Sequence, residues 1–160
     1  MIILGLDPGV ARLGYGVIAS ERGVDRCVTM GVLETPKGEI GPRLLDLHQH
    51  LQELIAEHQP DATCVERLFF SKNVSTAIVV AQARGVILLT CAASGILVVE
   101  ASPQDVKQAV AGYGSADKRQ VQRMVQALLR LPEIPQPDDA ADALAMALYG
   151  VRAAAMAKRQ

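Results

Sequence analysis

The spacing of apolar positions changes several times along the chain, and each change predicts an element. Ile2 to Asp7 is a short apolar run stopped by Pro8 and Gly9, which reads as a strand. Leu13 to Ala19 and Val24 to Glu34 read as two more strands. Their close glycine spacing predicts antiparallel hairpins. From Arg43 to His58 the period lengthens: Leu44, Leu47, Leu51, Leu54 and Ile55 mark one face of a helix, ended by Pro60. Ala62 to Glu66 is a fourth strand. Val74 to Ser94 is a helix apolar on nearly all sides, hence either central core or a helix that also meets a partner. Ile96 to Val99 is a fifth strand. Ser102 to Ala111 and Ala116 to Leu131 are helices. For the second, Ser115 is a candidate N-cap, and Val121, Met124, Val125 and Leu128 form the apolar stripe. After a loop from Pro132 to Pro137, a last helix runs from Asp139 to about Met156. This order predicts an α/β fold with one mixed sheet, antiparallel in one half, and helices on both faces.

The 160 residues suffice for one domain, placed at 1–156 with a short basic tail at 157–160. A chain of this length buries roughly 70% of its unfolded surface without a disulfide or metal staple. At 50% hydrophobic and 21% charged residues it is globular in composition. The longest apolar run is too short to span a membrane, and the first residues lack the basic region of a signal peptide. Cys27, Cys64 and Cys91 are far apart, which predicts free thiols in a reducing, cytoplasmic setting. His48 and His50 are two residues apart and do not share a helix face. With His58 they read as solvent or core-edge groups, not metal ligands. The net charge of −1 argues against nucleic acid as a partner, but the charges are segregated. Arg67 to Val99 holds three cations and no acid, and Ala143 to the end does the same. A near-neutral total can therefore hide a basic face.

The acids carry the chemical signal. Asp7 ends the first strand, in alternation with Ile3 and Gly5. Glu66 ends the fourth, in alternation with Ala62 and Cys64. In open α/β sheets ligands bind beyond such C-terminal strand ends. Asp139 and Asp142 are three apart, so they share a helix face with Cβ atoms about 5–6 Å apart. Asp138 is placed to cap that helix, where the helix dipole favours an acid by about 0.3–1 kcal/mol. Asp142 lies past the first turn, on a face continuing to Met146 and Tyr149, so capping does not account for it. If the four acids converge, their repulsion calls for divalent cations, and oxygen-only donors select Mg²⁺ or Mn²⁺ over zinc. Two such ions about 3.5–4 Å apart suit in-line phosphoryl displacement. The residues alone thus point to a metal-dependent phosphodiesterase.

The stretches "ILGLDPG", "VERLFFSKN", "AQARGV", "VKQAVAGYGSADKRQVQRMV" and "DAADALAMAL", in this order from Ile3 to about Tyr149, resemble the RuvC family of bacterial Holliday junction resolvases. The resemblance implies an RNase H-like fold of the retroviral integrase superfamily, with a five-stranded mixed sheet flanked by helices. It implies a homodimer that nicks opposing strands of a four-way DNA junction, with two Mg²⁺ or Mn²⁺ ions per site, in recombination and repair. Its four metal-binding acids fall on Asp7, Glu66, Asp139 and Asp142, with Asp138 left as a cap or outer-shell group. Phe69 falls where the family places a wedge beside the metals, and Lys72 and Asn73 follow on the same loop. Lys107 and Lys118 match basic residues near the cleaved strand, and Arg119 and Arg123 extend that side. Gly9, Gly14 and Gly16 serve a tight turn and a close backbone approach. Docking with the RuvA and RuvB branch-migration proteins is implied by the family alone.

Three other readings compete. "GLDPG" also resembles the first phosphate loop of actin-like ATPases, but a second glycine-rich phosphate loop is missing. A protein that binds branched DNA without cutting it would have no use for all four carboxylates. A related nuclease acting on RNA is disfavoured by the Phe69 loop and by "GSADKRQVQ".

Overall fold

The computed structural model describes residues 1–67 and 74–157. Phe69, Lys72 and Asn73 lie outside the described residues. The order is β1 (Ile2–Asp7), β2 (Arg12–Glu21), β3 (Val24–Glu34), α1 (Ile40–His58), β4 (Ala62–Glu66), α2 (Val74–Ala93), β5 (Leu97–Ala101), α3 (Pro103–Ala111), α4 (Lys118–Leu129) and α5 (Asp138–Ala157). One five-stranded sheet runs β3-β2-β1-β4-β5. β1 pairs antiparallel with β2 and β2 with β3, as the glycine spacing predicts, while β1 pairs parallel with β4 and β4 with β5. This is the mixed sheet expected from the element order.

Alternation along the strands sorts the core into two layers. Leu4, Leu6, Leu13, Val17 and Val65 pack with Leu47, Leu51 and Leu54 of α1 and Ala83, Ile87 and Cys91 of α2. Ile3, Ile18, Ala62 and Cys64 pack on the opposite face with α3, α4 and α5. Asp7 and Glu66 keep the parity of Ile3 and Cys64, so both belong to the α5 face.

Helix α5 lies against β1 and β2 with its backbone almost touching theirs, and glycines make this possible. A Cβ on Gly5 would stand 2.0 Å from the Ala143 carbonyl oxygen, and one on Gly14 2.1 Å from that of Asp139. Gly16 faces Leu144 in the same way, at 2.8 Å. Gly9 closes the turn after β1, where a Cβ would come within 2.4 Å of the Arg12 carbonyl oxygen. The small residues Ala140, Ala141, Ala143, Ala145 and Ala147 are all buried, which lets α5 sit between the sheet and α3 and α4.

Several expectations need correction. α4 begins at Lys118, not Ala116, and its cap is Asp117, not Ser115. Asp117 accepts from Gln120 N at 2.8 Å, and Gln120 Oε1 accepts from Asp117 N at 2.8 Å, a reciprocal box that Ser115 cannot make. Its buried stripe is Val121, Gln122, Val125 and Leu129, while Met124 is exposed and Leu128 half-buried. The helix is rotated so that Gln122 reaches Asp138. Asp138 is not a cap: it is the first residue of α5, and the Pro137 carbonyl accepts from Ala140 and Ala141. α1 starts three residues earlier than its apolar period, at Ile40, and β2 extends from Arg12 to Glu21. Among the described residues no helix is long and apolar enough to cross a membrane. The three cysteines are free.

Candidate active site

Four carboxylates meet at one edge of the sheet because two strands and one helix end there. The β1–β4 ladder closes with Leu6 opposite Val65, so the next residues out are Asp7 and Glu66. Across the other edge of β1, Asp7 pairs with Gly14, and Gly14 is where the Asp139 backbone rests. The glycine contact thus sets Asp139 beside Asp7. One turn further along α5, Asp142 faces the same place.

Electrostatics reports this convergence. Burial raises the Asp7 pKa from the usual 3.8 to about 7, with further upward pushes from Asp142, Glu66 and Asp139 and a small downward pull from Lys118. Burial, then Asp142, pushes Glu66 up as well. Asp138 does not act on Asp7. Its carboxylate is turned to Lys118 and to Gln122, whose Nε2 donates to Oδ1 at 2.9 Å, and these two bonds hold its pKa below the usual value. The structure therefore separates the adjacent acids: Asp139 shares the site with Asp7, and Asp138 holds the surrounding cation.

Two basic groups already stand against these charges. Lys118 Nζ lies 3.0 Å from Asp142 Oδ2 and 3.1 Å from Asp138 Oδ2. Burial works against its charge, but the two carboxylates outweigh burial and raise its pKa. Arg12 Nε lies 3.3 Å from Asp139 Oδ2 and 3.5 Å from Glu34 Oε1. Asp7 lines two cavities. One, of about 300 Å³, is lined by Asp7, Glu66, Asp142, Lys107 and Lys118 above apolar side chains such as Val106 and Met146. The other, of about 620 Å³, is lined by Asp7, Gly9, Arg12, Asp139 and the α2 residues Val79 and Val80.

Lys107 and Lys118 thus join the acids, as expected. Arg119 and Arg123 are exposed on α4 and line neither cavity. Among the described residues no three acidic, His or Cys side chains close into a ready metal cage. The donor set still fits a hard cation: all four are carboxylates, and the innermost, Asp7, is in no ion pair among the described residues. The histidines stay apart from the site. His48 is bonded to Thr90 Oγ1 at 2.7 Å, and His50 and His58 lie near Asp46 and Glu57. Sequence reading missed Arg12, Arg84 and Gly5. Arg12 and Gly5 carry no local pattern. Arg84 does: it is the one charged residue between Val74 and Ser94. Its Nε donates to the Glu66 carbonyl oxygen at 3.3 Å.

The chain is similar to known proteins over nearly its whole length. Residues 3–149 match the family model described as crossover junction endodeoxyribonuclease RuvC. The chain is 54% identical over 158 residues to the RuvC of Roseiflexus sp. (strain RS-1), covering 98% of this chain and 94% of that one. It is 56% identical over 149 residues to the RuvC of Chloroflexus aggregans, covering 92% and 91%. Its fold superposes on that of T. thermophilus RuvC in complex with a Holliday junction substrate with a TM-score of 0.92, at 36% identity, covering 98% of this chain and 96% of that one.

Proposed function

The chain belongs to the RuvC family of crossover junction endodeoxyribonucleases, which are divalent-metal-dependent, and we propose that it resolves Holliday junctions by paired, symmetric nicks in strands of like polarity. The observation that carries this reading is the convergence of Asp7, Glu66 and Asp142 on one cavity with Lys107 and Lys118, with Asp139 set beside Asp7 through Gly14. Carboxylates so placed call for a cation, and they offer oxygen donors only. Asp7, Glu66, Asp139 and Asp142 hold two Mg²⁺ or Mn²⁺ ions, which when bound supply activation of the attacking water and charge stabilisation at the scissile phosphate. The products carry 5′-phosphate and 3′-hydroxyl ends.

The rest of the chain brings the phosphate to the carboxylates. Lys107 and Lys118 attract the scissile strand into the smaller cavity. Lys118 is the first residue of α4, where free backbone N–H groups also favour phosphate. Arg119 and Arg123 lie further along α4 and meet flanking phosphates. Phe69 stacks on a base unpaired at the branch point, with Lys72 and Asn73 on the neighbouring backbone. Residues 1–156 act as one domain, with 157–160 a basic tail. Ile78 and Leu89 of α2 are apolar and exposed among the described residues, which supports a homodimer across this helix. A two-fold dimer suits a junction with opposing equivalent strands. The RuvA and RuvB proteins are the expected partners in recombination and repair in the cytoplasm.

The test is cleavage of a labelled synthetic four-way junction beside a linear duplex, in Mg²⁺, Mn²⁺ and chelator, by wild type and Asp7→Asn. Paired nicks confined to the junction, lost in chelator and in the variant, are expected. A wild type that binds the junction but cuts it in neither metal would sink the reading.

A further inference from the structure

We propose that Arg84 is the positioning residue for Glu66, fixing from helix α2 the carboxylate that β4 delivers to the active site. The proposal rests on the reading of Glu66 as a metal-holding residue. The Arg84 side chain is only 15% exposed, so its charge and donors must be met inside the protein. Its Nη2 is paired with Glu100 Oε1 on β5. Glu100 lies also 3.8 Å from Arg67 Nε, so it is held from two sides. With one edge of the guanidinium thus anchored, its Nε reaches the main-chain carbonyl oxygen of Glu66 at 3.3 Å.

This contact falls where the strand runs out. The β4–β5 ladder ends with Glu66 opposite Ala101. The next amide, Arg67 N–H, donates to the Ala101 carbonyl oxygen at 2.8 Å. The peptide unit joining Glu66 to Arg67 is therefore gripped on both edges, its C=O by Arg84 and its N–H by Ala101. A planar peptide held this way leaves Glu66 little freedom in ψ. Its φ is set by the ladder behind it, so the direction of its Cα–Cβ bond toward the cavity is fixed. Without Arg84, the last strand residue keeps one of the two holds and its carboxylate gains rotational freedom toward solvent. Second-shell contacts of this kind typically change metal affinity or activity by about 10–100-fold.

The experiment compares wild type, Arg84→Ala, Arg84→Lys, Glu100→Gln and Glu66→Gln. Three quantities are measured: Tm without metal, the Mn²⁺-induced rise in Tm, and the Mn²⁺ concentration for half-maximal junction cleavage. Arg84→Ala is expected to raise the half-maximal Mn²⁺ concentration about tenfold and to shrink the Mn²⁺-induced rise. Arg84→Lys keeps a positive charge for Glu100 and so most of the metal-free Tm. A point charge cannot serve Glu100 and the Glu66 carbonyl together, so its Mn²⁺ requirement should rise too. Glu100→Gln loosens the anchor and should show a smaller shift of the same sign. Falls in metal-free Tm with unchanged Mn²⁺ dependence in all three variants would make Arg84 merely structural and overturn the proposal. If Glu66→Gln also leaves the Mn²⁺ dependence unchanged, it is the site reading itself that fails.

Discussion

The four acids of the site come in two pairs that the fold treats differently. Asp7 and Glu66 end adjacent parallel strands, inside the sheet, where burial raises both pKa values and, among the described residues, neither carboxylate is in an ion pair. Asp139 and Asp142 ride on α5, with side chains 33% and 38% exposed, and each has a cation within 3.3 Å. Strand ends give fixed direction at the expense of solvation. A helix N-terminus gives solvation and a favourable dipole, and leaves room for counter-charges. The repulsion of the assembled site is therefore concentrated on Asp7. The inner pair is thus the poorly solvated half of the site, and the outer pair the half already matched by counter-charges.

The largest expected effect tests that asymmetry directly. In the metal-free protein the folded-state pKa of Asp7 lies near 7, above its unfolded value of 3.8. The folded state thus binds the proton more tightly than the unfolded chain. Its contribution to stability is fully present below about pH 4 and is lost as the pH rises through 7, by roughly 4 kcal/mol at about 1.4 kcal/mol per pH unit. Asp7→Asn removes that dependence. Thermal melts in chelator should show the variant more stable than wild type at pH 8, with the two curves converging near pH 4. The same change abolishes cleavage, by about 10³-fold or more, equivalent to about 4 kcal/mol of barrier. Equal melting at pH 8 would mean that Asp7 is not the strained member, and the comparison of the two pairs would lose its basis.

The second effect concerns what holds the pairs together. Gly14 opposes Asp7 across the β1–β2 ladder and lets the Asp139 backbone in. Gly14→Ala sets a methyl group 2.1 Å from a carbonyl oxygen of α5, with no flexible side chain to yield. Destabilisation of about 3 kcal/mol or more is expected from such overpacking. Gly41→Ala, whose added Cβ meets nothing within 4 Å, is the control. Urea unfolding of the two variants measures the difference. A neutral Gly14→Ala would show that α5 can stand off from the sheet, and that Asp139 need not be so close to Asp7.

These two cases show how far the sequence could be read. The acids at 7 and 66 were legible from alternation, because a polar residue ending an apolar strand stands out against a period of two. The pair at 139 and 142 was legible from its spacing of three. Gly14 and Gly16 were legible as points of close approach, but not what approaches them, since that is a tertiary fact about α5. Gly5 fits the same strip and carried no separate signal. The box of Asp117 and Gln120 was present in the string and lost to Ser115, because the choice between neighbouring caps depends on which residue finds its partner three positions on. Periodicity gave α4 its stripe but not its rotation, which follows Gln122 toward Asp138. Arg84 was visible as the lone charge in an apolar helix, yet its partners lie on β4 and β5, out of reach of any local pattern.

The smallest effect falls on the outer pair. Arg12 stands between Asp139 and Glu34, with its own side chain 47% exposed and that of Glu34 70% exposed. An exposed pair of this kind gains little Coulomb energy in water and loses side-chain entropy, so Arg12→Ala should change unfolding free energy by no more than about 0.5 kcal/mol. The change should shrink further in salt, since the Debye length falls from about 10 Å at 0.1 M to about 3 Å at 1 M. Denaturant titrations at both salt concentrations decide the matter. If Arg12→Ala cost about 2 kcal/mol and salt left that unchanged, Asp139 would have to be as poorly solvated as Asp7. A small, salt-sensitive change instead means that Arg12 can give up Asp139 to an incoming cation at almost no cost. The outer pair would then be the part of the site that rearranges on loading, while the inner pair stays where β1 and β4 put it.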